Sequence, residues 1–380
     1  MVEVNGTVAP GFERVREVFE ANFAERGEVG AACSVWVGGR EVVDLVGGVV
    51  APGGEPYTRQ TLQMVASATK GAMAICALRL VERGELDLDA PVAAYWPEFA
   101  AAGKAEVPVR WLLSHQVGLP YVDPVIPMAE VYKWTPMVEA LAAQRPAWEP
   151  GTAHGYHAMT YGWLIGEVLA RVTGVTPGEI LRKEVADPLG VDFFVGLPEA
   201  EFGRVAPLIP AAPPAPGTPP DPLTALMLDP TQLAHRAFFV PNGLLASMND
   251  PAAWTAQMPA ANGMATARAL STMYAACLGE VGGVRLLSPD MLAAATTPQA
   301  EGTDLVLGVE SRFGLGFQLS YPLRPMAGAG SFGHYGLGGS VGFAHPARGV
   351  SFGYVVNQML PGGMVDPRSS ALIEAVFAAA

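Results

Sequence analysis

Hydrophobic residues recur at two different spacings along the chain, and these spacings predict most of its secondary structure. Residues 12–24 carry apolar side chains at helical spacing, which predicts an amphipathic helix. Residues 31–48 instead form two β-branched segments around the pair Gly38-Gly39, which is typical of a β-hairpin. The chain therefore begins with a helix followed by two antiparallel strands.

The most apolar helical pattern follows a loop that contains glycine and proline. It begins near Met64, carries Ser67 and Lys70 in its first turn, and closes at Gly84, a residue type favoured just after a helix. A helix that is apolar on most of its surface is expected to be buried. This segment therefore predicts a buried helix with a hydroxyl and an amine at its start.

The remainder of the chain changes from helical to strand-like patterns. Residues 207–222 hold eight prolines, which exclude a helix or a central strand and predict a surface excursion. Further helices are predicted at 107–120, 137–144, 160–173, 265–277 and 368–379, and strands at 313–320, 341–344 and 350–357.

Strand patterns at both chain ends, with helical patterns between them, predict an α+β fold. The economical arrangement joins the N-terminal hairpin and the C-terminal strands in one antiparallel sheet that the terminal helices cover. Residues 1–85 and 300–380 would form this sheet domain, with the Ser67 helix at its boundary, and residues 86–299 a mostly helical insertion. A cleft between the sheet and the insertion is the expected place for a site.

Composition predicts a globular protein and excludes several partners. The chain has 380 residues, of which 50% are hydrophobic and 16% are charged, so it can bury a large core. Its formal net charge of −13, without a basic tract, argues against binding to nucleic acid or to anionic membrane surfaces. No stretch of about 18 apolar residues occurs, so no membrane span is expected.

Cysteine and histidine usage indicates a reducing compartment and no metal. Cys33, Cys76 and Cys277 lie far apart in apolar segments without a C-x-x-C spacing, which favours free thiols. The six histidines show no metal-ligand spacing. Residues 1–10 have neither the basic nor the apolar region of a secretory leader. We therefore expect a cytoplasmic protein that uses neither metal nor cofactor.

Ser67 and Lys70 are three residues apart, so a helix places them on one face within reach of each other. A lysine in so apolar a segment is costly unless its charge is paired or its pKa is lowered. Such an amine is suited to take a proton from serine, and the helix N-terminus adds free N–H groups beside Ser67. The alternative is that Ser67 is an N-cap and Lys70 an exposed side chain.

Tyr156 lies in a loop that follows the turn Pro150-Gly151-Thr152 and precedes an apolar helix. A phenol beside a cationic lysine loses its proton more easily, and lowering its pKa from about 10 to about 7 takes about 4 kcal/mol of differential stabilisation. Tyr156 is therefore a candidate base. The alternative is a half-buried aromatic residue whose hydroxyl is satisfied locally.

A glycine-rich segment near the C-terminus suggests a strand edge that approaches a ligand closely. It contains His334, Tyr335, Gly336 and Leu337 and adjoins strand-like sequence, so it can supply an oxyanion N–H and side-chain donors. The alternative is a hairpin loop in which His334 is a local cap. The same segment fits the G-x-S-x-G elbow at Ser340, but an elbow needs a helix after it and a distant histidine, and neither is predicted here.

Four segments, in this order, resemble the class C β-lactamase and penicillin-binding-protein superfamily, and most closely its family VIII carboxylesterases. The resemblance extends over essentially the whole chain and implies an α/β sheet domain with an all-helical domain. The four segments are Ser67-Ala68-Thr69-Lys70, residues 112–120, Pro150-Gly151-Thr152 with Tyr156, and His334-Tyr335-Gly336.

The resemblance also implies a role for each matching residue. Ser67 would be the nucleophile, Lys70 its general base and Tyr156 the second base. The backbone N–H groups of Ser67 and Leu337 would form the oxyanion hole. The remaining matches would bind substrate, because they stand where lactamases have Lys-Thr-Gly: His334, Tyr335 and Gly336.

Two departures from the lactamase pattern favour esters as substrates. The Tyr-x-Asn motif has become Tyr156-His157-Ala158, which loses an amide that would hold an amide substrate. His334 replaces a lysine, and a histidine of ordinary pKa is mostly neutral at pH 7, so it anchors a carboxylate poorly.

The sequence therefore predicts a serine carboxylesterase that hydrolyses small esters with short acyl chains through an acyl-enzyme. Three alternatives remain at this point. The first is a β-lactamase or D-amino-acid peptidase with weak esterase activity, and the second is an acyltransferase that uses the same site. The third, from another class, is a scaffold that keeps the fold without catalysis.

Overall fold

The computed structural model describes residues 2–213, 217–239, 247–360 and 366–380. Its strands are β1 (Val4–Val8), β2 (Gly30–Val37), β3 (Arg40–Gly48), β4 (Leu62–Met64), β5 (Phe193–Phe194), β6 (Val205–Ala206), β7 (Met264–Ala265), β8 (Ala300–Thr303), β9 (Glu310–Phe313), β10 (Gln318–Leu319), β11 (Phe332–Tyr335), β12 (Val341–His345) and β13 (Val350–Val356).

Helices occupy most of the region between β4 and β8 and both flanks of the chain. They are α1 (Glu13–Glu25), α2 (Thr69–Glu82), α3 (Val92–Tyr95), α4 (Val109–Leu113), α5 (Met128–Val131), α6 (Thr135–Ala143), α7 (Thr160–Thr173), α8 (Pro177–Leu181), α9 (Asp187–Leu189), α10 (Pro222–Leu228), α11 (Leu233–Phe239), α12 (Pro251–Thr255), α13 (Ala267–Leu278), α14 (Pro289–Thr296) and α15 (Pro367–Ala379).

A nine-stranded antiparallel sheet joins the two ends of the chain, as the sequence predicts. Its strand order is β1-β3-β2-β13-β12-β11-β10-β9-β8. The N-terminal hairpin meets the C-terminal strands where β2 pairs with β13, with Cys33 opposite Tyr354. This confirms the predicted α+β fold.

Helices cover both faces of this sheet. On one face α1 and α15 bury an apolar cluster that includes Phe19, Phe352 and Leu372. On the other face α13 packs on β2, β12 and β13. Gly353 permits this close approach, because a Cβ there would lie 2.2 Å from Ala267 O.

Helix α2 lies at the centre of the molecule, between the sheet and the other helices. It contacts α7, α8, α14 and β11, and nearly all its residues are buried, from Thr69 to Leu80. A second, small sheet of order β5-β7-β4-β6 leads the chain into α2 through β4. The start of α2 is therefore held between a sheet and a helical core, which fixes its first turn.

Four details differ from the expectation. The helix predicted at 107–120 is shorter, since α4 covers only Val109–Leu113. The strand predicted at 313–320 exists only at Phe313, where β9 ends, and at Gln318–Leu319, because the chain turns between them, where Gly316 has a φ of +83° and Gly314 N donates to Phe317 O. Strands β1 and β8 and the strands of the small sheet were not predicted. Helix α13, assigned to the insertion, packs on the sheet.

The two-domain division at residues 85 and 300 stays a prediction. The proline-rich excursion of residues 207–222 is mostly exposed where it is described, and residues 214–216 of it lie outside the described residues.

Candidate active site

Ser67 lies in a 3₁₀ turn, Ala66–Ala68, between β4 and α2. Ala66 has a left-handed φ of +45°, which is uncommon for a residue with a Cβ and marks a strained turn. Thr69 braces the turn, because its Oγ1 donates to Ala66 O at 2.6 Å and accepts from Gly263 N at 3.0 Å. Ser67 is half-buried and its two neighbours in the turn are buried, so the turn presents its hydroxyl to a cleft.

Lys70 is fully buried in the first turn of α2, and its amine has three oxygen neighbours. Nζ lies 3.1 Å from Ser67 Oγ, 2.6 Å from Ala158 O and 3.0 Å from Ala260 O. Burial lowers the pKa of Lys70 well below its usual value. A neutral amine donates its two N–H groups to the two carbonyls, which leaves its lone pair for the Ser67 hydroxyl.

Tyr156 lies beside these two residues and is also buried. Lys70 Nζ is 4.9 Å from the centre of its ring, which stacks on Phe313 with a centroid distance of 6.0 Å. Burial raises the pKa of the phenol, while a hydrogen bond with Ser67 and the charge of Arg324 act in the opposite direction. This is the reverse of the lowered pKa expected from a cationic neighbour, so Tyr156 is a protonated donor in the free protein.

The buried carboxylate of Asp304 holds the backbone of Tyr156 in place. Asp304 Oδ1 accepts from the amide of Tyr156 at 3.0 Å and from those of Val306 and Leu307 at 2.9 Å each. Its Oδ2 accepts from Ser311 Oγ at 3.1 Å. Asp304 was not predicted from the sequence, where a lone acid before three apolar residues is the only signal.

Two further histidines near Tyr156 have structural contacts. His157 Nε2 accepts from Leu119 N at 2.9 Å, and its Nδ1 donates to Gly155 O at 2.7 Å. His115 Nδ1 accepts from His157 N at 3.1 Å. Burial lowers the pKa of His157 to about 3, so this ring is neutral. Both rings orient the loop that carries Tyr156.

His334 lies on β11, with its ring centre 5.9 Å from that of Tyr156. Its Nδ1 donates to Tyr335 O at 2.6 Å, and its Nε2 has no hydrogen-bond partner among the described residues. Burial lowers its pKa well below the usual value, so the ring is neutral and Nε2 is an acceptor. Tyr335 also lines the cleft, but its hydroxyl accepts from Met326 N at 3.0 Å.

The end of β11 lies directly against the nucleophile turn. A Cβ at Gly336 would be 2.2 Å from Val65 O, so only glycine permits this approach. Gly336 N donates to Ser340 O at 2.7 Å, which closes the hairpin to β12. Leu337 follows in this turn and lines the cleft together with Ser67. The six matched residues and Leu337 therefore meet in one place.

The cleft has two arms that meet at Ser67, Phe238 and Leu337. We call them the apolar arm and the polar arm. The apolar arm is lined further by Met64, Ala66, Ala158, Met159, Met248, Ala253, Met258, Ala261 and Asn262. The polar arm is lined further by Tyr156, Leu223, Met227, Leu307, Gln318, Tyr321, Arg324, His334, Tyr335 and Gly336.

This arrangement of sheet, central helix and cleft agrees with comparisons to known proteins. A family model described as Beta-lactamase matches residues 15–376. The chain belongs to the β-lactamase family. The curated esterase/β-lactamase LipL of Mycobacterium tuberculosis is 37% identical over 369 residues, which cover 94% of this chain and 83% of that protein.

Solved structures support the same family. A family VIII carboxylesterase superimposes with a TM-score of 0.90 at 38% identity. A penicillin-binding-protein homologue from Caulobacter crescentus superimposes with a TM-score of 0.87 at 40% identity. Each of the two matches covers 100% of both chains. These similarities confirm the predicted superfamily and its fold.

Ser340 has a structural place in this β-lactamase-family fold. It lies in the turn between β11 and β12, so a strand follows it where a nucleophile elbow requires a helix.

The described residues include no helix suited to span a membrane. Within the same ranges, no cluster of His, Cys, Asp and Glu is arranged to hold a metal ion.

Proposed function

We propose that this β-lactamase-family chain is a serine carboxylesterase that forms its acyl-enzyme on Ser67. The observation that carries the proposal is the contact between Ser67 Oγ and a fully buried Lys70 whose pKa burial lowers. A neutral amine with its lone pair toward the hydroxyl is the state that a general base requires. The names of the related esterases support the same reaction.

In this mechanism Lys70 takes the Ser67 proton as Oγ attacks the ester carbonyl. The oxyanion lies between the backbone N–H groups of Ser67 and Leu337, each worth about 2.7–4 kcal/mol. Tyr156, protonated because burial raises its pKa, donates to the leaving alcohol as the C–O bond breaks, and the proton on Lys70 replaces the one donated. Water then attacks the acyl-enzyme, and its proton returns to Ser67 by the same route.

The polar arm favours ester over β-lactam substrates. His334 is neutral and offers an acceptor nitrogen, so it differs from the lysine that anchors a carboxylate. Ala158 contributes its carbonyl to Lys70 and has no side-chain amide to offer a substrate. We propose that Tyr335 and Gly336 shape this wall, with Gly336 admitting the strand to Val65.

β-Lactam hydrolysis is the second candidate activity. Arg324 places a positive charge in the polar arm, close enough to act on the pKa of Tyr156 and of His334. A carboxylate on the substrate would be attracted there. Nitrocefin turnover, compared with hydrolysis of p-nitrophenyl butyrate, separates the two activities.

The nucleophile is tested by covalent labelling. A fluorophosphonate should label Ser67, and Ser67→Ala should abolish labelling and lower kcat on p-nitrophenyl butyrate at least about a thousandfold. Ser340→Ala is the control and should keep both, because Ser340 lies in a hairpin turn. A label on Ser340, or full activity in Ser67→Ala, contradicts the assignment. Absence of both label and turnover in the wild type favours a non-catalytic scaffold.

We also propose a cytoplasmic location. The support is that Cys33, Cys76 and Cys277 are free and buried, as expected in a reducing compartment.

A further inference from the structure

The two arms of the cleft are lined by side chains of different chemistry. Four methionines and several alanines line the apolar arm, and its polar side chains among the described lining residues are Ser67 and Asn262. Asn262 is already satisfied, because Nδ2 donates to Ala253 O and Ala256 O and Oδ1 accepts from Met258 N. This arm therefore offers a ligand apolar contact and little hydrogen bonding.

The position of Tyr156 distinguishes the arms mechanistically. Tyr156 lines the polar arm and is not among the described residues that line the apolar arm. A general acid must lie within hydrogen-bond reach of the leaving oxygen. The alcohol part of an ester therefore enters the polar arm, and the acyl part is directed into the apolar arm.

We infer that the apolar arm is an acyl-binding subsite for unbranched aliphatic chains longer than acetyl, an inference that rests on the proposed esterase function. Methionine is unbranched and flexible, so Met64, Met159, Met248 and Met258 form a wall that adapts to chains of different length. This extends the expectation of short acyl chains to chains of medium length.

The wild-type protein provides the first test. Hydrolysis of p-nitrophenyl acetate, butyrate, hexanoate and octanoate is compared at a fixed alcohol. Each added methylene that enters the arm should raise kcat/KM by about fourfold until the arm is full. A butyrate series with methyl, ethyl and benzyl alcohols measures the polar arm separately.

Two methionine truncations test which arm holds the acyl chain. Met258→Ala lengthens the apolar arm and should raise the octanoate-to-butyrate ratio of kcat/KM by at least about fivefold. Met248→Ala is the second variant for the case that Met258→Ala folds poorly, because Met248 is less deeply buried. Met227→Ala is the matched control, since Met227 lines the polar arm on α10 and should change only alcohol preference.

The outcomes separate the two proposals. A shift in acyl preference with Met258→Ala or Met248→Ala, but not with Met227→Ala, supports the acyl subsite. A shift in acyl preference with Met227→Ala alone overturns the assignment of arms and leaves the esterase intact. Absence of ester hydrolysis in the wild type overturns the esterase and the subsite together.

Discussion

The burial of Lys70 favours its function as a base and lowers the stability of the fold. Burial disfavours its charged form, so folding must release a proton from an amine that is charged in the unfolded chain at neutral pH. The two carbonyls that accept its N–H groups, Ala158 O and Ala260 O, offset part of this cost. The property that suits Lys70 to take the Ser67 proton therefore lowers the stability of the fold.

We therefore expect the free energies of unfolding of the wild type and of Lys70→Met to differ by an amount that depends on pH. The pKa of Lys70 is lowered in the folded chain, so unfolding takes up a proton at any pH between the folded pKa and the unfolded pKa of about 10.4. The destabilisation by buried Lys70 is therefore full below the folded pKa and absent above about pH 10.4. The free energy of unfolding of the wild type should gain about 1.4 kcal/mol per pH unit on that of Lys70→Met between these limits. Urea unfolding at about pH 7, 8 and 9 measures it.

A constant difference between the two proteins over this range would show that Lys70 is charged in the folded state. Lys70→Met should also lose ester hydrolysis at every pH, because methionine accepts no proton.

At the scale of elements, the hairpin of β8 and β9 supports the loop that carries Tyr156. Asp304 lies in the turn of this hairpin, and its Oδ1 gathers the amides of Tyr156, Val306 and Leu307. Leu307 also lines the polar arm, so one carboxylate holds the backbone of both Tyr156 and a second residue of that arm. Asp304 is thus a positioning residue.

Removal of this carboxylate should affect turnover more than binding. Asp304→Ala leaves buried amides without an acceptor and should lower kcat about a hundredfold with little change in KM, because small displacements of a catalytic group are costly. Asp304→Asn keeps Oδ1 and should recover most of kcat. Steady-state kinetics on p-nitrophenyl butyrate, with thermal melting of each variant, measures both effects.

Ser311→Ala is the control for this hairpin. It removes the donor to Oδ2 and leaves the amide of Tyr156 on Oδ1, so kcat should stay within about threefold of the wild type. Equal losses in Asp304→Asn and Asp304→Ala would contradict a positioning role.

The elements that the sequence predicted are those with a clear period or a clear terminator. Helix α7 ends before Gly174, a left-handed glycine, and residues 160–173 match the predicted bounds. The strands of the small sheet are two or three residues long, too short for a period to be detected. The motif residues were found because their types and their order along the chain resemble those of a known superfamily. Asp304 and the methionines of the apolar arm were not found, because only the folded chain brings them together.

At the scale of the whole molecule, a buried ion cluster joins residues from both ends of the chain beside the turn that carries Leu337. Arg368 on α15 is fully buried, and its guanidinium donates to Glu28 Oε1 at 3.0 Å and to Asp366 Oδ2 at 2.6 Å. It also donates to Gly338 O at 3.4 Å, one residue after Leu337. Tyr354 on β13 donates to the other oxygen of Glu28. This ion cluster connects α15, the sheet and the hairpin of the candidate oxyanion hole.

Glu28 makes this cluster sensitive to pH. Burial raises its pKa to about 7, because one guanidinium is shared between Glu28 and Asp366 and compensates the burial of two carboxylates only in part. The folded chain thus binds a proton that the unfolded chain releases above about pH 4.5, so stability falls as pH rises from about 4.5 to about 7.

The free energy of unfolding of the wild type should fall by about 3 kcal/mol relative to that of Glu28→Gln across this window, and no further above it. Urea unfolding at about pH 5, 6 and 7.5 measures the difference, with Glu17→Gln, an exposed glutamate on α1, as the control. A pH-independent difference would mean that Arg368 keeps Glu28 ionised throughout.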